Sequence, residues 1–306
     1  MGTESATPAL PPLLRAMRPG NWVKNLPCFA ALVFSGQLFV PAQQLAAGLA
    51  AVAFALASSA GYLLNDIVDR ETDRSNPRTA SRPIASGELP VWLAAANAVA
   101  LTFAAAFVAA VLGRDCLVTL AAYAALTAAY SLRLKRTVIV DVMCVALGFV
   151  LRVLAGVYAV RVPPSPWIVL CMFFLALLIG FGKRKAELAS LGGGAALARP
   201  VLVKYRPAYL DLVLGMTATL TILTYALYSV APHHTQSLVV TVVPVVYCVL
   251  RYAYKLMVEG LGESPEEVIL RDPMLWAGTL VWLLLCVAVL YGDLRLVGEF
   301  TRGTGP

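Results

Sequence analysis

Residues 45–73 read L45-A-A-G-L-A-A-V-A-F-A-L-A-S-S-A-G-Y-L-L64 and continue without a break into N65-D-I-V-D-R-E-T-D73. The first part carries no charge, and a helix of about 20 such residues spans the roughly 30 Å of a bilayer hydrocarbon core. Four acids then fall within residues 66–73. An apolar span that ends in carboxylates describes a membrane helix delivering a polar cluster to an interface, and this decides the solvent in which the rest of the chain must fold.

Composition extends the argument to all 306 residues, of which 60% are hydrophobic and 13% charged. Ordinary soluble domains run near 45–50% and 25%, so a soluble enzyme and a disordered chain are both excluded. Nearly uncharged runs occur at about 25–44, 45–64, 91–112, 116–132, 138–160, 162–182, 207–230, 235–250 and 273–292. Strand edges cannot be satisfied in lipid, so these predict an all-α integral membrane protein of about nine transmembrane helices. The division is a segment 1–24, a transmembrane catalytic domain 25–292 and a tail 293–306. The first fourteen residues contain Glu4, three prolines and no apolar core, which does not describe a removed signal peptide.

Charge placement orients the bundle. Of 24 Lys and Arg, 19 lie in residues 1–24, 65–90, 133–137, 183–206 and 251–272, four lie on the opposite side, and Arg152 falls within an apolar run. The positive-inside bias puts the N-terminus and long loops in the cytoplasm of a plasma (inner) membrane. The six cysteines lie in apolar stretches without metal-ligand spacing and read as small buried hydrophobes. His233 and His234 read as solvated residues of an outer loop.

The chemistry concentrates on the cytoplasmic side. Helical spacing puts Asn65, Asp69 and Asp73 on one face at i, i+4 and i+8, with Asp66 turned by about 100°. One amide oxygen and two carboxylates form a hard-oxygen site, and Mg²⁺ is commonly held by one or two carboxylates plus substrate phosphates. Arg78 and Arg82 follow in N76-P-R-T-A-S-R-P-I-A-S-G87, where guanidinium forks suit phosphate oxygens. The next cytoplasmic loop gives Y130-S-L-R-L-K-R136, with Lys135 and Arg136, and Asp141 and Arg152 in the following helix are cavity candidates. G180-F-G-K-R-K-A-E-L188 sets Lys183, Arg184 and Lys185 at the expected end of a helix, where topology and the helix dipole give a competing account. M17-R-P-G-N-W-V-K-N25 is a short amphipathic approach segment, with Lys24 and Asn25 able to face a ligand. Topology and interface anchoring compete as the account of each basic or aromatic motif alone, whereas the acidic run after G61-Y-L-L is less easily a passive solvated face; the combination is what points to diphosphate binding.

These motifs resemble the UbiA superfamily of intramembrane prenyltransferases: N-D-x-x-D-x-x-x-D after the second span, R-P-I-A-S-G downstream and Y-S-x-x-L-K-R after the fourth. The likeness covers nearly the whole chain and implies a UbiA-like bundle with a cytoplasmic-side active site. Typical members carry a second acidic motif after the sixth helix, where this chain has K183-R-K-A-E187. Three cations in that place imply a ligand with phosphate beyond one metal-bound diphosphate. The pattern resembles the branch that transfers 5-phosphoribosyl from 5-phosphoribosyl 1-diphosphate to a long polyprenyl (decaprenyl) monophosphate, releasing diphosphate, for cell-wall arabinan precursors.

The resemblance implies Mg²⁺ as cofactor, with Asn65, Asp69 and Asp73 as its ligands and Asp66, Asp69 and Asp73 as the catalytic acids. It implies donor-phosphate contacts from Lys24, Arg78, Arg82, Lys135 and Arg152, with Arg136 and Asp141 also in the binding set, Tyr62 beside the ribose, and Lys183, Arg184 and Lys185 on a remaining phosphate. The expected partners are the donor, the polyprenyl phosphate, membrane lipids and possible homo-oligomer copies, with no nucleic acid. An aromatic prenyltransferase using polyprenyl diphosphate and a transporter of anionic metabolites stay open as alternatives.

Overall fold

The computed structural model describes residues 10–191, 201–231, 236–260, 268 and 271–292. His233, His234, Arg199 and the 293–306 tail lie outside the described residues. The described residues form twelve α-helices: α1 (Pro12–Met17), α2 (Ala30–Phe34), α3 (Pro41–Val68), α4 (Arg70–Ser75), α5 (Pro83–Ser86), α6 (Val91–Leu112), α7 (Arg114–Leu132), α8 (Val140–Val160), α9 (Pro166–Leu191), α10 (Pro207–Ser229), α11 (Val242–Met257) and α12 (Pro273–Tyr291). Among the described residues, eight helices are long and apolar enough to cross a membrane. The chain is a multi-pass membrane protein.

The nine expected helices need one correction, at residues 25–44. That stretch forms no continuous α-helix: a 3₁₀ helix over Pro19–Phe29 leads into the five residues of α2, and Pro41 opens α3. Pro27 sits inside the 3₁₀ helix and supplies no backbone N–H, which disfavours the i→i−4 ladder there. The segment still runs antiparallel along α3. Arg18 meets Asp66 at the far end, Trp22 Nε1 donates to Ser59 Oγ at 3.1 Å, and Leu32 packs with Ala47 near the start of α3. One side of the segment is buried, through Asn25 and Cys28, while Trp22, Val23 and Leu26 stay exposed. It comes close to α8 at Gly156, where a Cβ would run into the Cys28 carbonyl.

Two cores share α8. Phe54 of α3 packs with Leu120 and Tyr123 of α7, Ala155 and Ala159 of α8, and Cys28. On the other side Val142 and Ala146 of α8 join Leu178 and Phe181 of α9, Leu210 and Leu214 of α10, and Tyr252 of α11. Trp92, Phe103, Phe107 and Val111 of α6 point outward, the arrangement lipid demands of a span at the edge of a bundle. All six cysteines are free thiols, five of them buried.

The helix ends also depart from the hydropathy reading. α3 runs through Asn65 and Asp66 to Val68. α9 does not stop at residue 182 but carries Lys183, Arg184 and Lys185 within its length.

Candidate active site

The break between α3 and α4 splits the acidic motif. Asp69 caps α3 with φ −90° and ψ 2°, outside the helical register, and α4 begins at Arg70. Asn65 and Asp69 still share a face, and both receive the Lys135 ammonium from the α7–α8 loop. Lys135 Nζ lies 3.2 Å from Asn65 Oδ1 and 2.6 and 2.7 Å from the two Asp69 oxygens. Asp73 is turned elsewhere and pairs with Arg82 Nη1 at 2.7 Å. The expectation that Asn65, Asp69 and Asp73 act on one cation is therefore corrected to a pair, because Arg82 draws Asp73 towards Asp66 while Lys135 takes Asn65 and Asp69.

Asp66 lies on the side that Asp73 joins. Its Oδ1 accepts from Arg18 Nη2 at 2.6 Å and Arg82 Nη1 at 3.3 Å, so Arg82 bridges the two buried carboxylates. Arg18 adopts the left-handed region, φ 54° and ψ 62°, at the end of α1, and its guanidinium also stacks over Tyr62 at 4.9 Å. Three carboxylates, Asp66, Asp69 and Asp73, thus face three cations, Arg18, Arg82 and Lys135. Arg78 and Arg136 are exposed in the flanking loops, and Lys24 is half-buried on the 3₁₀ segment.

Among the described residues no three His, Cys, Asp or Glu side chains group as a metal site, and the oxygens nearest to one are those of Asn65 and Asp69. Three oxygens converge on one positive atom, and Mg²⁺ needs few protein oxygens when a diphosphate supplies the rest. Asp73 does not share that point.

A second polar cluster forms around α8 and α9. Arg184 Nε donates to Asp141 Oδ2 at 2.8 Å and its Nη1 to Glu187 Oε2 at 2.7 Å, with Arg184 and Asp141 both buried. Lys185 pairs with Asp211 at the start of α10. The three basic residues therefore do not present one phosphate-binding surface, correcting the expectation for Arg184 and Lys185. Consecutive helical positions lie about 100° apart, so Arg184 faces the core, Lys185 faces α10, and half-buried Lys183 faces a third direction.

Arg152 also differs from expectation. It lies about 16 Å along α8 from Asp141 at 1.5 Å per residue, and the two do not pair. Its guanidinium donates to Asn25 Oδ1, the Gly148 carbonyl and Tyr123 Oη at 2.8–3.0 Å, and lies over the Tyr123 and Phe149 rings. These contacts fasten the 3₁₀ segment and α7 to α8.

Residues 25–277, which hold both clusters apart from Arg18, match the model of the UbiA prenyltransferase family. The chain belongs to that family. It is 34% identical to a decaprenyl-phosphate phosphoribosyltransferase of Mycolicibacterium smegmatis, over 95% of this chain and 98% of the relative. It is also 34% identical to the enzyme so named from Corynebacterium glutamicum, over 91% of this chain and 86% of that one. A UbiA homologue from Archaeoglobus fulgidus, solved with GPP and Mg²⁺, shares the fold with a TM-score of 0.72 at 22% identity, covering 91% of this chain and 99% of that one.

Within this UbiA chain, Arg18 and Tyr205 are the site residues that sequence reasoning did not single out. Arg18 was visible as part of R18-P-x-x-W-x-K-N25, but nothing in the spacing reveals that the segment folds back along α3 to Asp66. Tyr205 precedes α10, and the Ile139 N–H and Asp141 carboxylate that its hydroxyl meets lie 66 and 64 residues away.

Proposed function

We propose that this UbiA family member transfers 5-phosphoribosyl from 5-phosphoribosyl 1-diphosphate to a decaprenyl-type polyprenyl monophosphate, releasing diphosphate. The names of its full-length relatives support that reading. The observation that carries it in this chain is the convergence of Asn65 and Asp69 on one cation, beside Arg18 and Arg82. An esterified diphosphate is a polyanion, and a divalent ion entering with it offsets much of its charge, leaving Lys135, Arg18 and Arg82 to meet the rest. Asn65 and Asp69 would hold Mg²⁺, which when bound neutralises charge on the leaving diphosphate. Its place is on the cytoplasmic side of the plasma membrane, by the excess of Lys and Arg in those loops.

The chain's own groups then do the rest. Lys135 moves from carboxylate to phosphate oxygens, and Arg82, held between Asp66 and Asp73, presents its remaining N–H groups. The lipid phosphate oxygen attacks ribose C1 as the C1–O bond to diphosphate breaks, and the electron pair leaves with diphosphate. A phosphate monoester is already anionic near neutral pH, so the nucleophile needs no general base. Rate comes from alignment and from cations placed where the leaving charge develops.

The test is incubation of the full chain with Mg²⁺, a polyprenyl monophosphate and donor labelled on the 5-phosphate, followed by organic extraction. Label in the lipid phase that EDTA abolishes supports the reading. No extractable label, with transfer from polyprenyl diphosphate to an aromatic acid in a parallel tube, overturns it in favour of an aromatic prenyltransferase.

A further inference from the structure

The α7–α8 loop ends in a conformation that its sequence does not favour. Ile139 has φ 69° and ψ −48°, a strained region for a β-branched residue. Its side chain is 40% exposed, so burial of the isoleucine does not impose the geometry. Its backbone N–H donates to Tyr205 Oη at 2.7 Å. The same hydroxyl donates to Asp141 Oδ1 at 3.1 Å, and the other Asp141 oxygen accepts from Arg184.

Tyr205 is itself immobilised. It is buried just before α10, edge-on to Phe181 at 6.3 Å and stacked on Tyr209 at 6.2 Å. Burial pushes its hydroxyl well above the ordinary phenol value, outweighing the bond from the Ile139 N–H, so the group stays protonated and can accept and donate together. Four residues before Ile139 stands Lys135, in a loop closed by Thr137 N–H to the Leu134 carbonyl and Asp141 N–H to the Thr137 carbonyl, both 3.0 Å. Little slack separates the strained turn from the ammonium on Asn65 and Asp69.

We propose that Tyr205 is a positioning residue whose hydroxyl clamps the strained Ile139 turn and thereby aims Lys135 at Asn65 and Asp69. Tyr205, just before α10, is in this way wired through Ile139 to the loop that carries Lys135. The inference rests on the reading of Lys135 as a donor-phosphate group.

The experiment uses Tyr205→Phe, Ile139→Gly, their combination, and Lys135→Ala in the full chain. Tyr205→Phe keeps the rings in place and removes the hydroxyl, so amide exchange in peptides covering 136–142 rises. Donor KM rises about tenfold, the loss of one well-placed hydrogen bond, with kcat within threefold. Glycine accepts positive φ without strain, so Ile139→Gly alone keeps donor KM within about threefold and, added to Tyr205→Phe, restores it to that range. A residue that merely packed would not be rescued by glycine 66 positions away in sequence. A double variant as impaired as Tyr205→Phe, or unchanged exchange in Tyr205→Phe, overturns the proposal. If Tyr205→Phe alone does not fold, the double variant should, and its failure also overturns the clamp. Raised donor KM in Lys135→Ala with none in Tyr205→Phe counts against Tyr205. Raised exchange with donor KM unchanged in both variants leaves the clamp standing and removes the donor reading of Lys135.

Discussion

Replacing Arg184 by methionine tests whether the K183-R-K185 stretch is a phosphate site or part of the scaffold. Arg184 is 5% exposed and Asp141, which it pairs with, is 0% exposed. Removing the cation leaves Asp141 with the Tyr205 hydroxyl and Glu187 without its partner. Breaking a buried pair from one side costs about 3–5 kcal/mol. At about 2–4 °C per kcal/mol for a chain somewhat smaller than this one, the loss of thermal midpoint is on the order of 10 °C. Lys185→Met is the control, since Asp211 is 41% exposed and such rim pairs are worth about 0.2–1 kcal/mol. The assay is thermal unfolding of purified protein in detergent, with donor binding measured well below both midpoints. Arg184→Met should lose the midpoint and keep donor affinity within about threefold on the folded fraction. An unchanged midpoint with tenfold weaker donor binding would refute the reasoning and return Arg184 to the ligand set.

Arg152→Met should lower the midpoint while leaving donor KM within about threefold, because its guanidinium holds Asn25 and Tyr123; a donor-specific loss would contradict the placement. Gly156→Ala forces a Cβ against the Cys28 carbonyl and should cost about 1–3 kcal/mol, read as a lower midpoint. Asp272 caps α12 and, although burial raises its carboxyl, the Leu275 N–H, Lys255, Arg251 and the Met274 N–H bring it down to about 2 from an ordinary 3.8. A folded value below the unfolded one adds stability above the unfolded value that is lost as pH falls towards about 2. Acid titration of stability should therefore show a limb between about pH 4 and 2 that flattens in Asp272→Asn.

Much of the fold was legible because the bilayer leaves few options. Runs such as 91–112 and 207–230 coincide with α6 and α10 almost to the residue. Residues 25–44 misled because hydropathy reports solvent and not hydrogen-bond register: Pro27 and Pro41 break a stretch whose composition is that of a span. The acidic cluster and Lys135 were found through spacing and charge, since both flank apolar helices. For Arg184, a composition of three cations hides that a helix turns each to a different side and that this one meets Asp141 and Glu187. The roles of Arg18, Asn25 and Tyr205 depend on contacts 48, 127 and 64 residues away in sequence, which no local pattern encodes.

The central claim is that ribose C1 changes partners while diphosphate departs, and donor labelled in two places tests it most directly. One label sits on the 5-phosphate and a distinguishable one on the terminal phosphate of the diphosphate. With Mg²⁺ and polyprenyl monophosphate, the account predicts the 5-phosphate label in the organic phase and the terminal label in water as diphosphate, in equal amounts. Both labels in the lipid, or the terminal label alone there, would mean that a different bond breaks and would contradict it.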